Sequence, residues 1–158
     1  MDYAEIVGNY LIANNLKIST TESCTGGLLS SRLTDVSGSS SYITYNLVTY
    51  ASDVKREVLG VEQKVLDTYG VVSKECAYQM AKGLFDITTS DICVSTTGIA
   101  GPTGGTKDKP VGLMYSTIYT LDKYKTYEIK LDSSYSRIEL KRMFTEEVLK
   151  NLIEFLGI

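Results

Sequence analysis

The stretch Thr21-Glu-Ser-Cys-Thr-Gly-Gly27 carries two atoms able to act as nucleophiles, Ser23 Oγ and Cys24 Sγ, side by side. The alternation of residues 17–21 predicts a buried strand, and Leu28, Leu29 and Leu33 predict a helix from about Cys24 to Thr34. At such a junction the backbone N–H groups of Cys24, Thr25, Gly26 and Gly27 have no partner inside the helix. They are expected to converge on a ligand as an oxyanion or phosphate site. Either nucleophile needs a base, and the chain contains no histidine. Histidine triads, histidine-ligated zinc and imidazole proton shuttles are thereby removed within one chain. Proton transfer falls to Lys, Tyr, Asp, Glu or Cys.

Three arrangements supply a base. In the first, Ser23 is joined by Tyr50, at the end of a predicted strand over 42–51, and by Lys55 in the helix that follows. Sites in parallel sheets collect at the carboxyl ends of strands, where these groups emerge. A lysine acts as a base only if its pKa falls from about 10.4 toward about 7 to 8, which burial or a nearby cation achieves. Tyr50 would relay the proton or orient the amine, whereas a solvated lysine and a core tyrosine fit the same residues. The second arrangement is Ser52-Asp-Val-Lys55, a Ser-x-x-Lys pattern of the kind found in penicillin-recognising acyltransferases. Its companion motifs are missing, and Ser52 equally suits a helix N-cap. The third joins Cys24 to Glu22 and Lys55, a set that hydrolyses nitriles and amides, with the helix terminus lowering the thiol pKa. A small cysteine packed behind the turn is the competing reading.

The elements that must position these groups follow from periodicity and turn residues. Helices are predicted over 3–13, after an N-cap at Ser52 through Leu59, over 61–69, 74–85 (capped by Ser73) and 136–156, the last with Leu140, Phe144, Val148 and Leu152 on one stripe. Strands are predicted over 91–96, 113–120 and 125–131, the last two as an antiparallel hairpin. Five strands interspersed with helices predict one α/β domain over residues 1–158. The expected architecture is three layers, α/β/α, around a mixed, mainly parallel sheet ending in that hairpin. After the strand at 91–96 comes Thr97-Gly-Ile-Ala-Gly-Pro-Thr-Gly-Gly-Thr106. It is not G-x-G-x-x-G, and Tyr50 to Lys55 is not Tyr-x-x-x-Lys, so no dinucleotide fingerprint is present. The glycines still allow close backbone approach to a ligand, placing Thr97, Gly98 and Gly101 among the candidate binding residues; a flexible surface loop is the alternative.

Composition narrows the class. Hydrophobic residues make up 43% and charged residues 22%, as in ordinary globular domains. No apolar run approaches the roughly 20 residues of a membrane span, and the amino terminus lacks a secretory pattern, so a cytoplasmic protein with no membrane partner is expected. Cys24, Cys76 and Cys93 form an odd set without C-x-x-C spacing, which predicts free thiols and no metal site. A net charge of −3 with no basic run argues against nucleic acid as a ligand.

Taken together, Thr21–Gly27, Leu33-Thr-Asp-Val-Ser-Gly-Ser-Ser40, Tyr50 to Lys55, Gly70-Val-Val-Ser73, Thr97–Thr106 and Lys109-Pro-Val-Gly112 closely resemble the CinA carboxyl-terminal domain family over nearly the whole chain. The resemblance implies a nicotinamide-nucleotide amidohydrolase, converting nicotinamide mononucleotide and water to nicotinate mononucleotide and ammonia in pyridine nucleotide salvage. It implies no metal or other cofactor, a small nucleotide as partner, and a homodimer. The family's Ser, Tyr and Lys positions fall on Ser23, Tyr50 and Lys55, and its arginine aligns with Arg137, followed by Lys141. Here Ser133-Ser-Tyr-Ser-Arg137 replaces the family's Gly-Asp-Arg-like turn. Larger members carry an additional amino-terminal domain associated with dinucleotide pyrophosphate hydrolysis, so the amidase activity alone is expected of this chain. A silent nucleotide-binding or regulatory module of the same fold, or an amidase for another nucleotide-like amide, are the alternatives.

Overall fold

Five segments rich in β-branched, aromatic and hydroxyl residues pair into one sheet in the computed structural model, which describes residues 2–158. They are β1 (Ile18–Glu22), β2 (Ile43–Val48), β3 (Ile92–Gly98), β4 (Leu113–Tyr119) and β5 (Tyr124–Lys130), in the order β2-β1-β3-β4-β5. Strands β2, β1 and β3 run parallel, while β3–β4 and β4–β5 are antiparallel. The sheet is therefore mixed, parallel at one end and a meander at the other. Every residue of β1 is buried, as expected of a strand flanked on both sides and covered on both faces.

Alternation divides the strand residues between two helical layers. Ile18, Ile92, Val94, Met114 and Ile118 meet α1 (Tyr3–Ala13), α2 (Leu28–Thr34) and α6 (Arg137–Leu156), whose Leu140, Phe144, Val148 and Leu152 are fully buried. The opposite face receives α3 (Ser52–Leu59), α4 (Gln63–Tyr69) and α5 (Lys74–Ile87). That face is lined with hydroxyls, and burial without partners would be costly, so they pair. Ser19 meets Ser90 at 2.6 Å, Thr21 meets Thr49 at 2.8 Å, and Ser95 donates to the Ala77 carbonyl of α5 at 2.6 Å.

Three boundaries differ from the sequence expectations in ways that affect the site. Helix α2 begins at Leu28, not Cys24, because Gly26 and Gly27 take φ of +60° and +99°, outside the helical region. Strand β2 ends at Val48, so Tyr50 lies beyond it. Ser52 is the first residue of α3, with Ala51 in the N-cap position. Ser73 caps α5 as expected, accepting from Cys76 N at 3.1 Å.

Helix α3 is held against α5 by a backbone contact that only glycine permits. A Cβ at Gly83 would stand 1.8 Å from the Leu59 carbonyl oxygen. Gly83→Ala is expected to push α3 off α5 and destabilise the protein by about 3 kcal/mol, or roughly 6–12 °C in Tm. Thermal denaturation checks this; an unchanged Tm would show that the two helices separate without penalty.

Candidate active site

Lys55 is the anomaly in α3. A lysine is almost never fully buried, yet its exposure is 0%. Its amine has three neighbours at hydrogen-bond distance: the Thr49 carbonyl at 2.7 Å, the Tyr50 carbonyl at 2.8 Å and Ser23 Oγ at 3.1 Å. Together with Cε these fill a tetrahedral nitrogen. Burial lowers the Lys55 pKa below its ordinary value, because no carboxylate lies close enough to offset the lost hydration. A neutral amine would donate to the two carbonyls and turn its lone pair to the Ser23 hydroxyl. Ser23 is 8% exposed and its N–H continues the β1–β3 ladder to the Thr96 carbonyl at 3.1 Å.

The turn after Ser23 differs from the anion site expected of it. Glu22, buried at the end of β1, turns its carboxylate into the start of α2. Oε1 accepts from Gly27 N at 3.2 Å and Leu29 N at 3.0 Å, and Oε2 from Ser30 N at 2.9 Å. Gly26 N–H goes to the Ser23 carbonyl. A residue of the chain thus occupies the helix N-terminus. Among the described residues no protein acceptor takes the N–H of Cys24 or Thr25, so two of the four expected donors stay free.

The same geometry weighs on the other two arrangements. Glu22 is engaged by the helix start, and Cys24 is buried. Burial first, and the Glu22 charge second, push its thiol up to about 12. The anticipated lowering of the thiol pKa does not occur, because burial overrides the turn. Ser52 is exposed at the helix start, while the Lys55 amine reaches across to Ser23.

Tyr50 meets Lys55 through its carbonyl. Its phenol oxygen instead accepts from Arg137 Nη2 at 3.0 Å, and Arg137 Nη1 donates to the Gly101 carbonyl at 2.7 Å. Arg137 therefore ties the end of β2 to the glycine-rich loop. One turn along α6, the Lys141 amine approaches Gly26, 3.4 Å from where a Cβ would be. Among the described residues neither cation pairs with a carboxylate. A cation in the first turn of a helix opposes the macrodipole, at a cost of about 0.3–1 kcal/mol that its two charge-assisted hydrogen bonds offset.

The loop candidates have packing explanations of their own. Thr97 Oγ1 donates to the Val71 carbonyl at 2.9 Å, a Cβ on Gly98 would meet Met114 Cβ at 2.7 Å, and one on Gly101 would meet Val111 at 2.5 Å. The hollows offer no better locator. One of about 360 Å³ at the start of α5, lined by Tyr69, Lys109 and Glu128, contains neither Ser23 nor Lys55. Another of about 390 Å³ beside Thr103–Thr106 carries no charged side chain. Among the described residues no group of three or more His, Cys, Asp or Glu could hold a metal ion, and no helix is long and apolar enough to cross a membrane.

Residues 1–156 match the family model for the CinA C-terminal domain. A CinA-like protein of Chlorobium limicola is 52% identical over 110 residues, covering 70% of this chain and 26% of that protein. A CinA-like protein of Shewanella pealeana is 47% identical over 128 residues, covering 81% of this chain and 30% of that protein. The chain spans less than a third of the length of these curated relatives. Among solved structures, competence/damage inducible protein CihA from Agrobacterium tumefaciens has a TM-score of 0.89 at 36% identity, over 96% of this chain and 94% of that one. A CinA superfamily protein from Klebsiella pneumoniae has a TM-score of 0.92 at 26% identity, over 98% and 96%.

With its thiol at about 12, Cys24 is ionised on the order of one part in ten thousand at pH 8. Iodoacetamide at pH 8 is therefore expected to leave Cys24 unmodified in the native protein and to alkylate it after denaturation, as read by peptide mass spectrometry. Rapid native alkylation would return the thiol to consideration as nucleophile.

Proposed function

We propose that this chain, which belongs to the CinA C-terminal domain family, is an amidohydrolase that converts nicotinamide mononucleotide to nicotinate mononucleotide and ammonia. The observation that carries the reading is the 3.1 Å contact between the Lys55 amine and Ser23 Oγ, with the Thr49 and Tyr50 carbonyls as the amine's other two partners. A dyad of this kind does acyl transfer without histidine.

The steps follow from the geometry. Neutral Lys55 takes the Ser23 proton as Oγ attacks the carboxamide carbon, and the Thr49 and Tyr50 carbonyls stabilise the ammonium that forms. The tetrahedral oxyanion meets the N–H of Cys24, which no protein acceptor takes among the described residues, such a donor being worth about 2.7–4 kcal/mol in the transition state. Lys55 returns the proton to the leaving amine, and ammonia departs from an ester on Ser23. Water gives a proton to Lys55 as its oxygen attacks the ester carbon, and Lys55 returns that proton to Ser23 Oγ as the ester C–O bond breaks, releasing the acid, which ionises to the carboxylate.

Arg137 and Lys141 supply the charge that an anionic nucleotide requires, on the same side as the nucleophile turn. The α2 N-terminus is filled by Glu22, and the glycine loop contributes no cation. The phosphate is accordingly assigned to the two α6 cations. Tyr50, which accepts from Arg137, keeps its own proton to donate to the substrate.

Ammonia release from nicotinamide mononucleotide is the test. Ser23→Ala is expected to lower kcat by at least about 10⁴-fold while retaining binding, and Cys24→Ala to retain turnover. Binding without ammonia release by the wild type would favour a silent nucleotide-binding module. Lys141→Gln should raise KM about tenfold with kcat little changed, as expected when one charge-assisted contact to a non-reacting phosphate is lost. An unaltered KM would move the phosphate elsewhere. Because Lys55 must be neutral, kcat/KM should rise with pH to an inflection below the ordinary lysine value of 10.5; a rate that falls with rising pH over that range would reverse the lysine's role.

A further inference from the structure

The side chain that controls the nucleophile turn is the one immediately before it. Glu22 accepts five hydrogen bonds: at Oε1 from Thr25 Oγ1 at 2.6 Å, Gly27 N and Leu29 N, and at Oε2 from Ser30 N and from Ser30 Oγ at 2.5 Å. It is fully buried and, among the described residues, pairs with no cation. Such a carboxylate persists only when donors surround it, and here all five come from the eight residues that follow.

The contacts extend to Ser23 itself. Thr25 Oγ1 spends its proton on Glu22, so at its 2.8 Å contact with Thr96 the donor must be the Thr96 hydroxyl. Thr96 Oγ1 in turn lies 3.3 Å from Ser23 N as its acceptor. From the Glu22 carboxylate a line of two hydroxyls therefore ends on the backbone of the nucleophile. A simple helix cap needs no such line, since Ser or Asp at the N-cap position satisfies the free N–H groups locally.

We infer that Glu22 is a positioning residue for Ser23: its buried carboxylate fixes the 23–30 turn so that Oγ faces the Lys55 amine and the Cys24 N–H beside it is left for the substrate oxyanion. The inference rests on the serine reading above. Glu22 and Ser23 share a peptide unit, so displacement of one carboxylate turns the other residue's Oγ away from Lys55. In Glu22→Gln one end of the carboxylate becomes an NH₂ group facing donors, either at Oε1 or at Oε2, and the anchor cannot form as before.

A fluorophosphonate probe that labels nucleophilic serines tests this without the nucleotide. Wild type should be labelled at Ser23, with Ser23→Ala as the blank. Glu22→Gln, folded at the assay temperature by circular dichroism, should be labelled about 100-fold more slowly, the scale of a roughly 1 Å misplacement. The pH inflection of labelling should stay close to that of the wild type, since burial, the main cause of the lowered Lys55 pKa, and the Thr49 and Tyr50 carbonyls are retained; a merely structural loss would lower the folded fraction and leave the rate of the folded molecules unchanged. Thr25→Val should slow labelling about tenfold and Thr25→Ser restore it, which decides the matter if Glu22→Gln does not fold. Labelling of folded Glu22→Gln, or of Thr25→Val, within about twofold of wild type would overturn the positioning role and leave the serine reading standing. Absence of labelling in the wild type would overturn the serine reading and the positioning role with it.

Discussion

A lysine amine buried away from bulk solvent is the constraint on which the rest of the site depends. Sealed from solvent, the ammonium loses hydration that no carboxylate replaces, and only two carbonyls and one hydroxyl remain to surround it. That set suits a neutral amine with two protons to donate and one lone pair to offer. The fold exists in this region to make the set possible. Strands β1 and β2 end side by side, so that Ser23 and the Thr49–Tyr50 carbonyls converge, and Gly83 lets α3 lie close enough to α5 to keep Lys55 inside.

Charge is distributed around this amine with a consistent logic. The negative group, Glu22, sits at the start of α2, where the helix dipole and the N–H groups favour it. The positive groups, Arg137 and Lys141, lie in the first turns of α6, where the dipole disfavours them and no acid relieves them. The capping box of Ser136 and Glu139 restores part of that helix end. One helix terminus is thus closed to anions by the chain itself, while another carries unpaired positive charge beside the nucleophile turn.

Much of this was legible in the sequence because it rested on periodicity and on residue type. Alternation located β1, β4 and β5, β-branched and aromatic content located β2, a short apolar run located β3 and the leucine stripe located α6, while the absence of histidine narrowed the base for Ser23 to Lys, Tyr, Asp, Glu or Cys. The start of α2 was misplaced because propensity alone cannot reveal that Gly26 and Gly27 turn left-handed around a carboxylate five residues upstream. The thiol pKa of Cys24 was expected to fall because a helix terminus was visible and its burial was not. Tyr50 was read through its phenol, yet its carbonyl is what touches Lys55, and backbone carbonyls have no signature in residue identity. Thr96 entered only through the β1–β3 register, a long-range pairing that spacing does not encode.

Lys55 can serve as the base for Ser23 only if its amine is neutral. Titration of its side-chain nitrogen by ¹⁵N nuclear magnetic resonance in selectively labelled protein, with Lys55→Arg to assign the signal, measures that state directly. The expected midpoint lies below the ordinary lysine value of 10.5, because burial disfavours the ammonium. A midpoint at or above that value would mean that the two carbonyls hold an ammonium against Ser23, and the amine could not then serve as its base.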